Sequence, residues 1–169
     1  GLITPDKYDT KNDYFLGFDI YSPEVKQIIE TFIRGMAETL GNHPAIKSIC
    51  LSNEPVFRAG RDESNAPAWH DYLREYYHND VAEMNTTWKE NFAGFDDVPM
   101  QEFYDNPCMH YDYLRFNDTM FANWHKWIGD MVKEYNPNIP IHSKVMPTIG
   151  ETEGHGIGEV HVGIALLEL

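Results

Sequence analysis

Ile46-Lys47-Ser48-Ile49-Cys50-Leu51-Ser52-Asn53-Glu54-Pro55 is a short, mostly apolar run that gives way to a polar loop at an Asn-Glu pair. Such a run, partly β-branched, predicts a buried parallel strand over residues 46–51. Upstream, Ser22-Pro23-Glu24 reads as a helix start: a capping hydroxyl, a proline suited to the first turn, and a carboxylate at the positive end of the helix dipole. Val25, Ile28, Ile29, Phe32, Ile33, Met36, Ala37 and Leu40 then keep helical spacing, with Gly41 as the expected left-handed stop.

Downstream, Trp69, Tyr72, Leu73, Tyr76 and Tyr77 predict a helix from about Pro67, and Asp80 with Glu83 forms a capping-box pair ahead of Val81, Met84 and Trp88. Residues 91–105 are irregular. Asn106-Pro107 opens a long helix whose apolar stripe, including Tyr113, Phe116, Phe121, Trp124, Trp127 and Ile128, ends at Asn136-Pro137. Pro140 to Val145 reads as the next strand. Strands separated by helices mean parallel pairing in an α/β fold, either a barrel or an open sheet. No Gly-x-Gly-x-x-Gly follows either strand, which weakens a dinucleotide-binding reading.

The formal charge of the 169 residues is −14, which argues against nucleic acid as a partner because phosphate binding needs a positive face. With 42% hydrophobic residues the chain has material for a core. No stretch approaches the ~18 consecutive apolar residues of a membrane span. Two cysteines, Cys50 and Cys108, are too few for a disulfide scaffold or a four-thiolate zinc site, and they leave the cellular compartment open.

A carboxylate just past a buried strand is where α/β barrels build their active sites. Glu54 there could protonate a leaving oxygen if burial raised its pKa. Asn53 offers an amide to a neighbouring hydroxyl, and Pro55 stiffens the turn. Leu51-Ser52-Asn53-Glu54-Pro55 resembles the end of the fourth strand in the retaining glycoside hydrolases of clan GH-A. Three further pieces narrow the resemblance: Phe18-Asp19-Ile20-Tyr21-Ser22-Pro23, Asn85-Thr86-Thr87-Trp88, and Tyr111-Asp112-Tyr113-Leu114-Arg115-Phe116. Together they resemble the catalytic barrel of glycoside hydrolase family 42, with its β-galactosidase-like members.

That resemblance implies a partial (β/α)8 TIM barrel, about strands 3/4 to 5 with their helices. It makes Glu54 the general acid/base and Asn53 the contact to the sugar 2-hydroxyl, on a β-linked carbohydrate substrate such as a β-galactoside, with no cofactor and no metal. The nucleophile is a second Glu ending the seventh strand, roughly 60 residues beyond strand five at ~30 per βα unit. Glu151, Glu153 and Glu159 come too early for that role. The expectation is therefore a fragment of a barrel over residues 1–147, inactive alone, followed by a Gly/Glu-rich tail at 148–169. A complete barrel of ~250 residues agrees with this.

Trp69 and Trp88 follow the motif and are expected as sugar-stacking faces, whereas Trp124 and Trp127 belong to the packing stripe. Arg58 and Arg61 read as solvated loop residues, and His43 and His142 as hydrogen-bonded structural ones. His155 and His161 lack metal-motif partners. The competing reading is a non-catalytic carbohydrate-binding or interaction module. An open piece of barrel leaves sheet edges and a helix face uncovered. The 169 residues alone should then bind a hydrophobic dye at neutral pH; a sharp cooperative melt without dye binding would mark a complete domain instead.

Overall fold

The computed structural model of the protein describes residues 20–53, 59–61 and 63–144. Among these described residues, four helices and two strands follow in the order α1 (Pro23–Leu40), β1 (Ile49–Asn53), α2 (Ala66–Tyr76), α3 (Val81–Trp88), α4 (Pro107–Tyr135) and β2 (Ile141–Lys144), with 3-10 turns ahead of α2 and of α4. The two strands are neighbours in one sheet. The N–H of Ile49, the first residue of β1, donates to the carbonyl of Pro140, just ahead of β2 (3.0 Å). Pairing start to start makes the strands parallel, with α2, α3 and α4 in the connection between them.

Compact packing divides the chain into two units, one within Gly1–Leu51 and Trp127–His142, the other within Ser52–Lys126 and Ser143–Leu169. In the first, the Ser22 hydroxyl caps α1 by accepting from Val25 N–H (3.2 Å), with Pro23 in the opening turn. The end of α1 is tied to the end of α4: Arg34 pairs with Glu134, Asn42 Nδ2 donates to the Tyr135 carbonyl (2.9 Å), and Asn136 Nδ2 donates to the Gly41 carbonyl (2.7 Å). Gly129 of α4 lies over the strands, its Cβ position 3.6 Å from Ile141 Cδ1 and 3.8 Å from Leu51 Cδ1. Val25, Ala37, Ile128, Met131, Val132 and Ile139 are buried, while Ile28 and Phe32 stand 64% and 67% exposed. The helical spacing of α1 is thus correct, but three of its eight apolar stripe residues, Ile28, Phe32 and Leu40, are exposed among the described residues.

Two expectations for this unit need correction. Gly41 is right-handed, φ −57° and ψ −31°, and continues the helical bond from its N–H to Ala37 (2.8 Å). Glycine is required there by close approach, because a Cβ would collide with the Ala37 carbonyl. The strand runs 49–53 instead of 46–51, since residues 43–46 are spent in a turn where Ile46 N–H bonds the His43 carbonyl (2.9 Å) and His43 Nδ1 accepts from Ala45 N–H (3.2 Å). Nor is it buried throughout: Cys50 and Asn53 are exposed while Ile49, Leu51 and Ser52 are half-buried.

The second unit is built around aromatic rings. Trp69 stacks on Tyr72 (centroids 5.8 Å apart) and on Trp88 (6.4 Å), meets Tyr113 edge-on (6.2 Å) and touches Phe116 (5.1 Å). Helix α3 is capped by Asp80, whose Oδ1 accepts from Ala82 and Glu83 N–H (2.9 and 3.0 Å). Only the aspartate half of the expected capping box is seen, because the Asp80 N–H already donates to the Tyr77 carbonyl (2.7 Å). Lys89 ends α3 in the left-handed conformation, φ 58°. Asn106 Oδ1 caps α4 through Cys108 N–H (3.0 Å), and its Nδ2 donates to the Trp88 carbonyl (2.6 Å).

Asp112 lies buried in this core, where one oxygen, Oδ2, accepts from Tyr77 Oη (2.5 Å) and from Trp88 Nε1 (2.8 Å). Burial raises its pKa, and the two donated bonds only partly offset that. A raised folded pKa means that the fold favours the protonated acid. This contribution is fully present below the unfolded value of ~3.9 and is lost as pH rises through the folded one. The difference in stability between wild type and Asp112→Asn should therefore shrink or reverse as pH rises from about 4 to neutral. Urea midpoints across that range check it, and a pH-independent difference would contradict the shift. Asp112→Ala should cost more than Asp112→Asn, since each orphaned buried donor costs about 1–3 kcal/mol.

Candidate active site

Asn53 is the last residue of β1 and is exposed. Glu54, Pro55 and Arg58 lie outside the described residues, as do Asp62, the sequence from Val145 onward with Glu151, Glu153, Glu159, His155 and His161, and the Phe18-Asp19 pair. The sequence reading ended the strand at Leu51 and put Asn53 in the loop beyond it; Asn53 is instead the last residue of the parallel strand.

The residue before it is held by α4. Ser52 Oγ lies 2.7 Å from His125 Nε2, and His125 is fully buried between the rings of Phe121 (4.3 Å, edge-on) and Trp124 (5.0 Å). His125 Nδ1 is 2.9 Å from the Phe121 carbonyl, which can only accept, so the ring proton sits on Nδ1. Burial lowers the His125 pKa and keeps the ring neutral. Nε2 therefore presents a lone pair, and the Ser52 hydroxyl donates to it.

The chain is described again at Ala59–Arg61, a single 3-10 turn, and is pinned there as well. Ala59 is buried with its N–H donating to Asn117 Oδ1 (2.8 Å) and its carbonyl accepting from Asn65 Nδ2 (3.0 Å). The Gly60 N–H donates to Tyr113 Oη (3.0 Å), and a Cβ on Gly60 would run into the Gln101 carbonyl. Tyr113, Asn117, Phe121, His125 and Ile128 recur at helical spacing, so one stripe of α4 carries all three polar anchors. The sequence reading missed them. The available signal was an asparagine and a histidine interrupting an otherwise apolar stripe.

The two tryptophans expected to face a sugar do not. Trp69 and Trp88 are 0% and 1% exposed, and their faces are occupied by protein rings, so they are core residues and not stacking platforms. The Trp88 N–H is also spent on Asp112. His43 bonds its own turn as expected, whereas His142 stands exposed on β2. Among the described residues, no three His, Cys, Asp or Glu side chains are grouped to hold a metal ion, and no helix is long and apolar enough to cross a membrane.

The sequence pieces quoted above acquire physical roles here. Asn85 exchanges two bonds with the Phe92 backbone (both 2.9 Å), Trp88 reaches Asp112, and Tyr113 reaches Gly60, so the segments 85–88 and 111–116 meet in one core.

The sequence profile of glycoside hydrolase family 42, described as beta-galactosidase, matches residues 7–161. Beta-galactosidase Pbg of Clostridium perfringens is 28% identical over 132 residues, covering 71% of this chain and 18% of the relative. Beta-galactosidase bgaB of Geobacillus kaustophilus is 28% identical over 134 residues, covering 73% and 20%. The chain thus spans about a fifth of the length of these curated relatives. Among solved structures, the beta-galactosidase of the psychrophilic Marinomonas ef1 superposes with a TM-score of 0.63 at 20% identity, over 77% of this chain and 22% of that one. PfGH50B superposes equally well, 0.63 at 17% identity, over 89% and 23%. These structures share the fold.

The burial of Trp69 generates a direct check. Trp69→Ala should lower unfolding stability by roughly 3–5 kcal/mol, as for other large aromatic core truncations, and Trp69→Phe by clearly less. Denaturant midpoints measure both. A near-neutral Trp69→Ala would return this residue to a surface role.

Proposed function

Because the chain belongs to glycoside hydrolase family 42, the beta-galactosidases, we propose that it carries the acid/base half of the active site of a retaining glycosidase, with Glu54 as proton donor and acceptor. Asn53 binds the 2-hydroxyl of the sugar. The substrate is a β-linked glycoside, a β-galactoside by analogy with the names of the relatives. In this reading β1 and β2 are the fourth and fifth strands of a (β/α)8 barrel.

The observation that carries the reading is the position of Asn53: exposed, at the C-terminal end of a strand that is paired in parallel with the next, the end at which barrels assemble their chemistry. Retention requires two carboxylates ~5–5.5 Å apart. One attacks the anomeric carbon while the other protonates the departing oxygen; the second then takes a proton from water as the glycosyl-enzyme is hydrolysed. Glu54 is assigned the proton-transfer role, and the family resemblance assigns the nucleophile to a Glu at the end of a later strand.

The test is Glu54→Gln in the full-length glycosidase carrying this sequence. The substitution keeps the shape and removes the transferable proton. Hydrolysis of a galactoside with an alkyl or sugar leaving group should fall by about 10²- to 10⁴-fold, while glycosylation from an activated aryl galactoside is much less affected. Covalent intermediate should then accumulate, and azide should restore turnover by attacking without base assistance. Equal losses on both substrates and no azide rescue would assign Glu54 a binding or structural role.

A further inference from the structure

Helix α1 has two flanks of different character. At about 100° per residue, Lys26, Arg34 and Gly41 lie along one of them, and that flank is taken by α4. Lys26 Nζ sits 5.8 Å from the centroid of the Trp127 ring, Arg34 pairs with Glu134, and a Cβ at Gly41 would lie 3.6 Å from Tyr135 Cβ. Val25, Ile29 and Ile33 form the buried or half-buried middle of the helix. Ile28, Phe32, Gly35 and Thr39 line the opposite flank at i, i+4, i+7 and i+11, and all four are exposed among the described residues.

Three features of that second flank suit a dry contact with another helix. Ile28 and Phe32 are aligned one turn apart at 64% and 67% exposure, and taking such side chains out of water is favourable. Gly35 stands inside an 18-residue helix, where glycine is a poorer choice than alanine, although a Cβ there would meet nothing within 4 Å. A glycine at such a place lets a second backbone come close. The hydroxyls on and beside the flank are already spent: Thr39 Oγ1 donates to the Gly35 carbonyl and Thr31 Oγ1 to the Gln27 carbonyl, both at 2.8 Å.

We propose that Ile28, Phe32, Gly35 and Thr39 form a helix-packing seam, and that its occupant is the helix preceding α1 in the full-length polypeptide. This rests on the reading of β1 and β2 as neighbouring strands of a barrel. Crossovers of one hand lay successive helices side by side around such a sheet. Helix α1 precedes β1, and α4 lies between β1 and β2, so α4 fills the flank toward the next unit and the opposite flank faces the previous one. The chain spans about a fifth of the length of its curated relatives, which leaves ample polypeptide to supply that helix. The partner is an apolar helix stripe with a bulky side chain seated over Gly35, a ridge set into the groove between Phe32 and Thr39.

The test is the melting temperature of the full-length glycosidase carrying this sequence. On a solvated helix face Gly35→Ala should raise it, because alanine is the better helix former and the methyl group has room. In a seam the same methyl group overpacks and should lower it by several degrees. Phe32→Ser should also lower it by several degrees, where on a solvated face it would change little. In the wild-type protein the Phe32 ring should resist hydroxyl-radical oxidation and become reactive only on unfolding in urea. A rise with Gly35→Ala, a neutral Phe32→Ser or a freely oxidised Phe32 overturns the seam. Native mass identifies the rival occupant: if Phe32→Ser splits an oligomer into subunits that keep the wild-type melting temperature, the face lies between copies of the chain and the proposal is overturned. Should neither variant fold, oxidation of the wild type decides, taken at a dilution where native mass shows single subunits. None of these readouts is turnover, so a negative result leaves the Glu54 assignment standing, and a failure of the Glu54→Gln signature leaves the seam standing.

Discussion

Asp112 Oδ2 receives two hydrogen bonds from two different elements, the Tyr77 hydroxyl just past α2 and the Trp88 indole at the end of α3, while Asp112 itself belongs to α4. A buried carboxylate without a cation is expensive to ionise, and neutral donors offset only part of that cost. Yet those two bonds put three segments in register around one atom. The Trp69 stack, the cap of α4 by Asn106 and the anchoring of Gly60 by Tyr113 are all assembled around that point. Losing the carboxylate would leave an indole N–H and a phenol O–H stranded in an aromatic core.

The helices were legible because their information is local. Ser22-Pro23, Asp80 and Asn106-Pro107 cap helices where the sequence placed them, and apolar spacing gave their extent. The strand was less legible because its boundaries depend on a partner 90 residues away. Ile46 belongs to the apolar run, but its N–H is used by the His43 turn, and the ladder begins only where Ile49 meets Pro140. The neighbours of a residue are equally hidden: Trp69 and Trp88 follow the motif in sequence, and nothing local says that Tyr104 and Phe116 pack on Trp69 or that Trp88 stacks on Trp69.

For the site, the Asn53-Glu54 pair was visible only because its place after a strand and the order of the accompanying segments carried meaning. The long-range bonds of the described residues on either side of it were not visible. Ser52 and His125 are 73 residues apart, and Ala59 and Asn117 are 58 apart. Hydrophobic periodicity treats His125 and Asn117 as defects in a stripe, whereas in the folded chain these are the positions where the stripe does something besides packing.

Gly60 seated against the Gln101–Glu102 backbone has a consequence for the chain as a polymer. That contact closes a loop of about 40 residues, and closure entropy grows only as the logarithm of loop length, so doubling the loop costs about 0.6 kcal/mol. The tip of the excursion is the turn at His78-Asn79, exposed and already in positive-φ conformations. Extra residues inserted there would lengthen a loop whose closing contact lies elsewhere. Length variation therefore has an inexpensive outlet at that turn and none at Gly60, where a single methyl group is already too much.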